Sequence, residues 1–190
     1  MKRFAVTLHA ALIVSLALAN AAASAQTQPG AQPPAPCTAL EHRQFDFWLG
    51  DWQVEVPGKP TNKSRITRLF GACGIREEYW AGGGRYEGSS FNMYDAPRRV
   101  WHQTWVDNQG GLLALEGGLR GASMVLEGQQ PGPQGGEQTS RITWTPNADG
   151  TVRQLWEIST DAGKSWTTAF DGLYRHPPAV PPSTPAAPGS

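Results

Sequence analysis

From Gly50 onward the chain alternates apolar and polar residues in short segments, and clusters of Gly, Pro, Asn or Asp interrupt them. A period of two sends successive side chains to opposite faces of a strand, so this pattern predicts an all-β domain with one buried face. We read strands at approximately 51–56, 64–72, 74–81, 86–94, 99–106, 111–120, 122–127, 139–145, 151–160 and 165–174. Asp95-Ala96-Pro97, Asp107-Asn108-Gln109-Gly110 and Asn147-Ala148-Asp149-Gly150 mark tight turns, because these residues tolerate or pre-set the backbone angles a reversal requires. Short connections favour antiparallel pairing of consecutive strands. A meander of roughly ten strands removes its exposed edges most simply by closing, which favours a barrel over a sandwich. An interior of that size is either filled by side chains or holds one small ligand.

Before the strands, residues 38–49 have helical spacing. Leu40, Phe45, Trp48 and Leu49 share a face, and Thr38 with Glu41 has the separation of a capping box. This predicts a short N-terminal helix capping one end of the barrel. Upstream, Lys2 and Arg3 precede an apolar run from Leu8 to Ala19, and Ala23-Ser24-Ala25 offers small residues for cleavage after Ala25. That is the pattern of a secretory signal, too short to span a membrane. The expected organisation is therefore a signal at 1–25, a Pro/Gln/Ala linker at 26–36, the barrel at 37–176 and a Pro/Ala-rich tail at 177–190, with both flanking stretches too poor in apolar surface to order themselves. Residues 129–138, rich in Gly and Pro, read as a long exposed loop.

Export changes the reading of the two cysteines, Cys37 and Cys73. In an oxidising compartment they are expected to form a disulfide, tying the capping helix to the end of an early strand. Lys and Arg total 16 against 16 Asp and Glu, without long runs of one sign, which disfavours nucleic acid and anionic membranes as partners. No stable membrane insertion is expected after signal cleavage. The eight Trp residues either fill a core or line a pocket.

Two local motifs add detail. Ser159-Thr160-Asp161-Ala162-Gly163-Lys164-Ser165-Trp166 resembles the Asp-box hairpin of sialidase propellers and other secreted β proteins, in which Asp161 would accept backbone donors, Gly163 take the left-handed position and Trp166 pack back on the turn. A single copy in so short a chain excludes the propeller itself. Gly50-Asp51-Trp52 resembles the Gly-x-Trp of lipocalins, and by that likeness Arg175 is expected to stack on Trp52 at the closed end. Together with Phe45-Asp46-Phe47-Trp48-Leu49, Trp101-His102-Gln103-Thr104-Trp105-Val106-Asp107 and Arg141-Ile142-Thr143-Trp144-Thr145, these segments resemble a family of exported bacterial proteins of unknown function with lipocalin-like barrels. The resemblance implies a fold, and no catalytic residues come with it.

Strand parity supplies the candidate site. With Trp52 inward, the expected inward set is Glu78 and Trp80, Ser90 and Asn92, then Trp101, Gln103 and Trp105, then Gln154 and Trp156. Aromatic walls carrying a few amide, hydroxyl and carboxylate groups suit a small apolar or aromatic molecule, though the same residues also fit a filled core. Three further readings stay open: an isomerase or hydrolase using Glu78 as general base, a haem barrel with His102 as axial ligand, and a structural or interaction module. Adjacent Glu77 and Glu78 point to opposite faces and make no carboxylate pair. Gly82-Gly83-Gly84 opens no helix and so makes no phosphate cradle. The sequence favours binding over catalysis, implies no cofactor or metal, and gives no oligomeric state.

Overall fold

The structure, a computed structural model, describes residues 35–132 and 135–178; the expected signal segment and most of both tails lie outside these residues. Ten strands form: β1 (Gly50–Glu55), β2 (Asn62–Leu69), β3 (Gly74–Trp80), β4 (Glu87–Asp95), β5 (Val100–Asp107), β6 (Leu112–Arg120), β7 (Ser123–Pro131), β8 (Glu137–Pro146), β9 (Val152–Ser159) and β10 (Thr167–Arg175). Each pairs antiparallel with its neighbours in sequence, and β1 pairs with β10 through Gln53–Arg175, Val54–Tyr174 and Glu55–Leu173, closing the barrel. The expected all-β meander barrel is thus the observed one. The 129–138 loop is shorter than expected, because β7 and β8 continue pairing as far as Pro131 opposite Glu137.

Alternation decides the interior. On β1, Trp52 and Val54 are buried while Asp51, Gln53 and Glu55 face water. Across from them, β2 turns Asn62, Ser64 and Ile66 inward. Because β1 begins at the same end as the 70–73 turn, that end is the floor; the loops at 56–61, 81–86 and 160–166 form the opposite mouth.

The floor is sealed by the segment preceding β1, though not as the expected helix. Two 3-10 turns form instead, Leu40–Arg43 and Asp46–Trp48. His42, Phe45 and Trp48 are the buried residues of this segment, three apart, which is the repeat of a 3-10 turn and would drift around an α-helix. Leu40, expected on the buried face, is 84% exposed. The capping box is absent: Ala39 occupies the cap position, and Thr38 Oγ1 donates to the Ala35 carbonyl. Phe45 stacks on Trp48 at 5.0 Å and meets Trp144 edge-on at 5.1 Å and Trp101 at 5.6 Å. Such pairs contribute about 0.5–1.5 kcal/mol each beyond their buried area.

Cys37 and Cys73 are bonded, with Cα atoms 5.0 Å apart, so this segment is pinned to the β2–β3 turn. The Arg43 guanidinium reinforces the junction by donating to the carbonyls of Cys37 and Ala72.

The partner expected for Trp52 is corrected. Arg175 lies opposite Gln53, on the outward parity, and reaches Glu55 at 3.3 Å. The next residue, His176, stays exposed and takes the place over the Trp52 indole.

At the mouth, the 159–166 hairpin is held by Asp161, whose Oδ1 accepts from Ser159 Oγ at 2.8 Å and from Ser165 N at 2.9 Å. Ser165 Oγ also donates to Oδ2, and donation from Ser165 is the main reason the carboxyl pKa falls to about 2. Gly163 sits at φ 83°, and Trp166 Nε1 donates to its carbonyl while the indole lies under the Arg141 guanidinium at 3.8 Å.

Candidate functional site

Between the aromatic floor and the mouth lies a cavity of about 680 Å³. Its outer rim includes the exposed residues Pro57, Lys59, Pro60 and Gly83, so it opens between the β1–β2 and β3–β4 loops. Tyr79, Tyr86, Trp105, Trp156 and Phe170 form its aromatic wall, and Leu113 and Ile142 complete the apolar lining. Glu77, Gln103, Gln154 and Tyr174 also line it.

Of the residues expected inside from parity, Gln103, Trp105, Gln154 and Trp156 line the cavity. Trp101 faces inward too, but it belongs to the floor, where its Nε1 donates to Gln44 Oε1 at 3.1 Å. Ser90 and Asn92 are buried and form a polar layer adjoining Glu77.

Glu78 and Trp80 are corrected to the outer face. Trp80 is 39% exposed, and Glu78 accepts from Arg76 at 2.8 Å. The register fixes this, since inward Trp52 pairs with Ser64 and Ser64 pairs with Tyr79. β3 therefore turns Ile75, Glu77 and Tyr79 inside. Of the two adjacent carboxyls, Glu77 and not Glu78 is the one facing the interior.

His102 likewise faces out, 3.2 Å from Glu116 Oε1 and 2.9 Å from Thr104 Oγ1. It cannot serve as an axial ligand to a group inside the barrel.

The position of Trp105 depends on its neighbour across the sheet. A Cβ on Gly88 would lie 2.2 Å from Trp105 Cζ2, so the indole occupies the space that any larger residue would fill. Its Nε1 and the Tyr86 hydroxyl both donate to Asp107 Oδ2, at 3.2 and 3.0 Å, which locks both rings at the mouth. The same hydrogen bond to Asp107, together with burial as the larger cause, pushes Tyr86 up to about 12.

Glu77 is the chemical centre. Its Oε1 accepts from Ser64 Oγ at 2.8 Å and lies 3.2 Å from the Tyr174 hydroxyl, while Oε2 has Ser90 Oγ at 3.5 Å. Tyr174 also donates to Gln154 Oε1 at 2.6 Å, and Gln154 Oε1 accepts from Trp144 Nε1 at 3.1 Å. A phenol has one hydrogen, so Tyr174 cannot serve Glu77 and Gln154 together. The count closes when the carboxyl is protonated and donates to Tyr174, which then donates to Gln154. Burial drives the same state: desolvation outweighs the hydrogen bonds from Ser64, Tyr174 and Ser90 and raises Glu77 to about 7. Tyr174 is itself raised far above its ordinary value, by burial first and then by Glu77.

Sequence reasoning missed Glu77, Tyr79, Tyr86, Phe170 and Tyr174. A signal for the first two was present: an inward Glu78 would bring Arg76 inside as well, whereas the opposite face of β3 carries a single charge.

No protein-family model matches the sequence, and a search of curated proteins found no match.

Proposed function

We propose that this chain is an exported, lipocalin-like barrel that binds a small molecule with an apolar or aromatic body. The observation carrying this reading is the cavity: its 680 Å³ falls within the range of small-molecule sites, and its wall is aromatic with a few polar groups at the inner end. A filled structural core leaves no such space. The disulfide supports an oxidising compartment, and among the described residues no helix is long and apolar enough to cross a membrane. Nucleic acid is not the expected partner.

Because Trp105 and Trp156 line the cavity, their emission reports occupancy. Titration with 2-phenylethanol and related small aromatics is expected to change that emission saturably in the wild type and much less in Trp105→Ala. Emission unaffected by every compound would remove the reading.

Acid–base catalysis at Glu77 is a second reading, favoured by its proton-sharing contact with Tyr174 at 3.2 Å inside the cavity wall. It requires that Glu77→Gln abolish a turnover the wild type performs while binding persists; turnover unaffected by Glu77→Gln would reject it.

A further inference from the structure

The aromatic donors of the cavity are mostly committed, its free donors being the Tyr79 hydroxyl and the Gln154 amide, and its inner end also leaves acceptors free. Trp105 and Tyr86 donate to Asp107, Trp156 donates to Ser140 Oγ, and Tyr174 donates to Gln154. Among the described residues, the Tyr79 hydroxyl is the one aromatic donor of the wall without a protein acceptor. Acceptors are differently placed. Glu77 Oε2 has only the 3.5 Å contact from Ser90, and no donor among the described residues reaches Gln103 Oε1, whose Nε2 is committed to Asn92 at 2.7 Å.

Charge points the same way. Glu77 is the ionisable carboxyl at the inner end, while the lining Asp171 is held outward by Arg153 at 2.7 Å. Lys59, the basic lining residue, sits on the exposed mouth loop. The walls present aromatic faces, which attract cations. A carboxylate ligand would meet the Tyr79 hydroxyl and the Gln154 amide at the inner end but would face Glu77 with Lys59 only at the mouth, and a neutral alcohol would gain no ion pair there. An ammonium has three donors and no acceptor, which suits the free acceptors Glu77 Oε2 and Gln103 Oε1 and adds a charge that the Glu77 carboxylate can pair.

We propose that the preferred ligand is a primary amine on an apolar or aromatic body, its ammonium meeting the Glu77 carboxylate and its body lying among Tyr79, Tyr86, Trp105, Trp156 and Phe170. This rests on the ligand-binding reading above and specifies its ligand class. Binding then carries a proton balance. Below the Glu77 pKa the free carboxyl is protonated, so the incoming ammonium forms an ion pair with the carboxylate and one proton leaves to solvent. The titratable groups facing Glu77 are Tyr79, Tyr86 and Tyr174, all raised and therefore neutral throughout this range, so none supplies that proton. Asp107, at the mouth beside Tyr86, is held below the usual carboxylate range and is already ionised.

The test compares 2-phenylethylamine, 2-phenylethanol and 3-phenylpropanoate on the full chain by calorimetry and tryptophan emission. The amine is expected to bind at least about tenfold tighter than the alcohol, a difference of about 1.4 kcal/mol, and the carboxylate weakest. Glu77→Gln should erase the amine preference while alcohol binding stays. In the wild type, calorimetry in buffers of different ionisation enthalpy should find close to one proton released at about pH 6 and almost none at about pH 8. Alcohol binding as tight as amine binding, or amine binding at the lower pH without proton release, overturns the amine assignment and leaves the apolar-ligand reading standing. Failure of all three compounds to bind overturns both.

Discussion

The His176 imidazole lies over the Trp52 indole, ring centres 3.8 Å apart and planes 24° from parallel, and this stack closes the floor where β1 and β10 meet. His176 Nδ1 also sits 3.2 Å from the Asp51 carbonyl. The geometry explains the glycine of Gly50-Asp51-Trp52. Gly50 has φ 132°, and a Cβ there would approach His176 Cε1 to 3.0 Å, so the position demands both an unusual backbone and an absent side chain. Gly50→Ala should therefore lower stability by about 1–3 kcal/mol. His176→Ala should cost less, because it loses only the stack and the exposed contact with the Asp51 carbonyl. In the double variant part of the Gly50→Ala penalty should vanish, since the steric share depends on His176. Urea unfolding midpoints for the four proteins decide it: strict additivity would place the whole penalty in the backbone angle.

The Cys37–Cys73 bond closes a loop across 36 residues and pins the two floor turns to the β2–β3 junction. On the chain-entropy account, a loop of this length is stabilised by about 4 kcal/mol. Reduction should lower the melting temperature substantially while far-ultraviolet circular dichroism at room temperature stays near that of the oxidised protein, because the ten-strand ladder closes without the bond. A reduced protein that loses its β signature altogether would make the disulfide a condition of closure.

Where the chain alternates against an unambiguous partner, the sequence was sufficient. All ten strands, the barrel closure and the Cys37–Cys73 pair were legible, since each depends on local alternation, turn residues or a pairing with no competitor. The site was legible only in part. On β3 both faces carry a carboxylate and a large aromatic, Glu77 with Tyr79 and Glu78 with Trp80, so residue size alone misassigns it; the cross-strand register with Ser64 settles the matter. Phe170 was hidden by the register shift between Thr168 and Phe170, which breaks simple counting along β10. The front segment departs from the expected helix because Leu40, Phe45, Trp48 and Leu49 fit an α-helical face, whereas the buried positions are 42, 45 and 48, and the tether at Cys37 with the start of β1 at Gly50 leaves room for two tight turns.

Gly88 sets the shape of the cavity mouth through Trp105. A Cβ there would lie 2.2 Å from Trp105 Cζ2 and 2.8 Å from the Val106 carbonyl oxygen, so Gly88→Val must displace the indole or move β5. The expected outcome is a folded barrel with shifted tryptophan emission and binding of 2-phenylethylamine weakened by an order of magnitude or so, about 1.4 kcal/mol. Stability should fall as well, by about 1–3 kcal/mol for an overpacked interior position. Wild-type emission and affinity in Gly88→Val would mean that Trp105 does not depend on this space.

Glu77 makes the barrel's stability fall as pH rises, opposite to the effect of a paired surface carboxylate. Its folded pKa of about 7 lies above the ordinary glutamate value of 4.5, so the native state holds a proton that the unfolded chain releases across that interval. Stability linked to this group is full below about pH 4.5, declines through about pH 7 and then levels off, a loss on the order of 3 kcal/mol. Tyr79, Tyr86 and Tyr174 face the carboxyl and stay neutral over the whole window, so they add no slope of their own. Glu77→Gln keeps the volume and cannot ionise; with its amide nitrogen at the Oε1 position it donates toward Tyr174, and its oxygen at the Oε2 position accepts from Ser90. It should therefore flatten the decline and leave the variant more stable than the wild type at about pH 8, by an amount approaching that loss. Denaturant unfolding of both proteins from about pH 5 to pH 8 measures this directly. A wild-type curve that is flat across the interval, or a Glu77→Gln curve that falls as steeply, would show that the buried carboxyl is ionised in the native barrel.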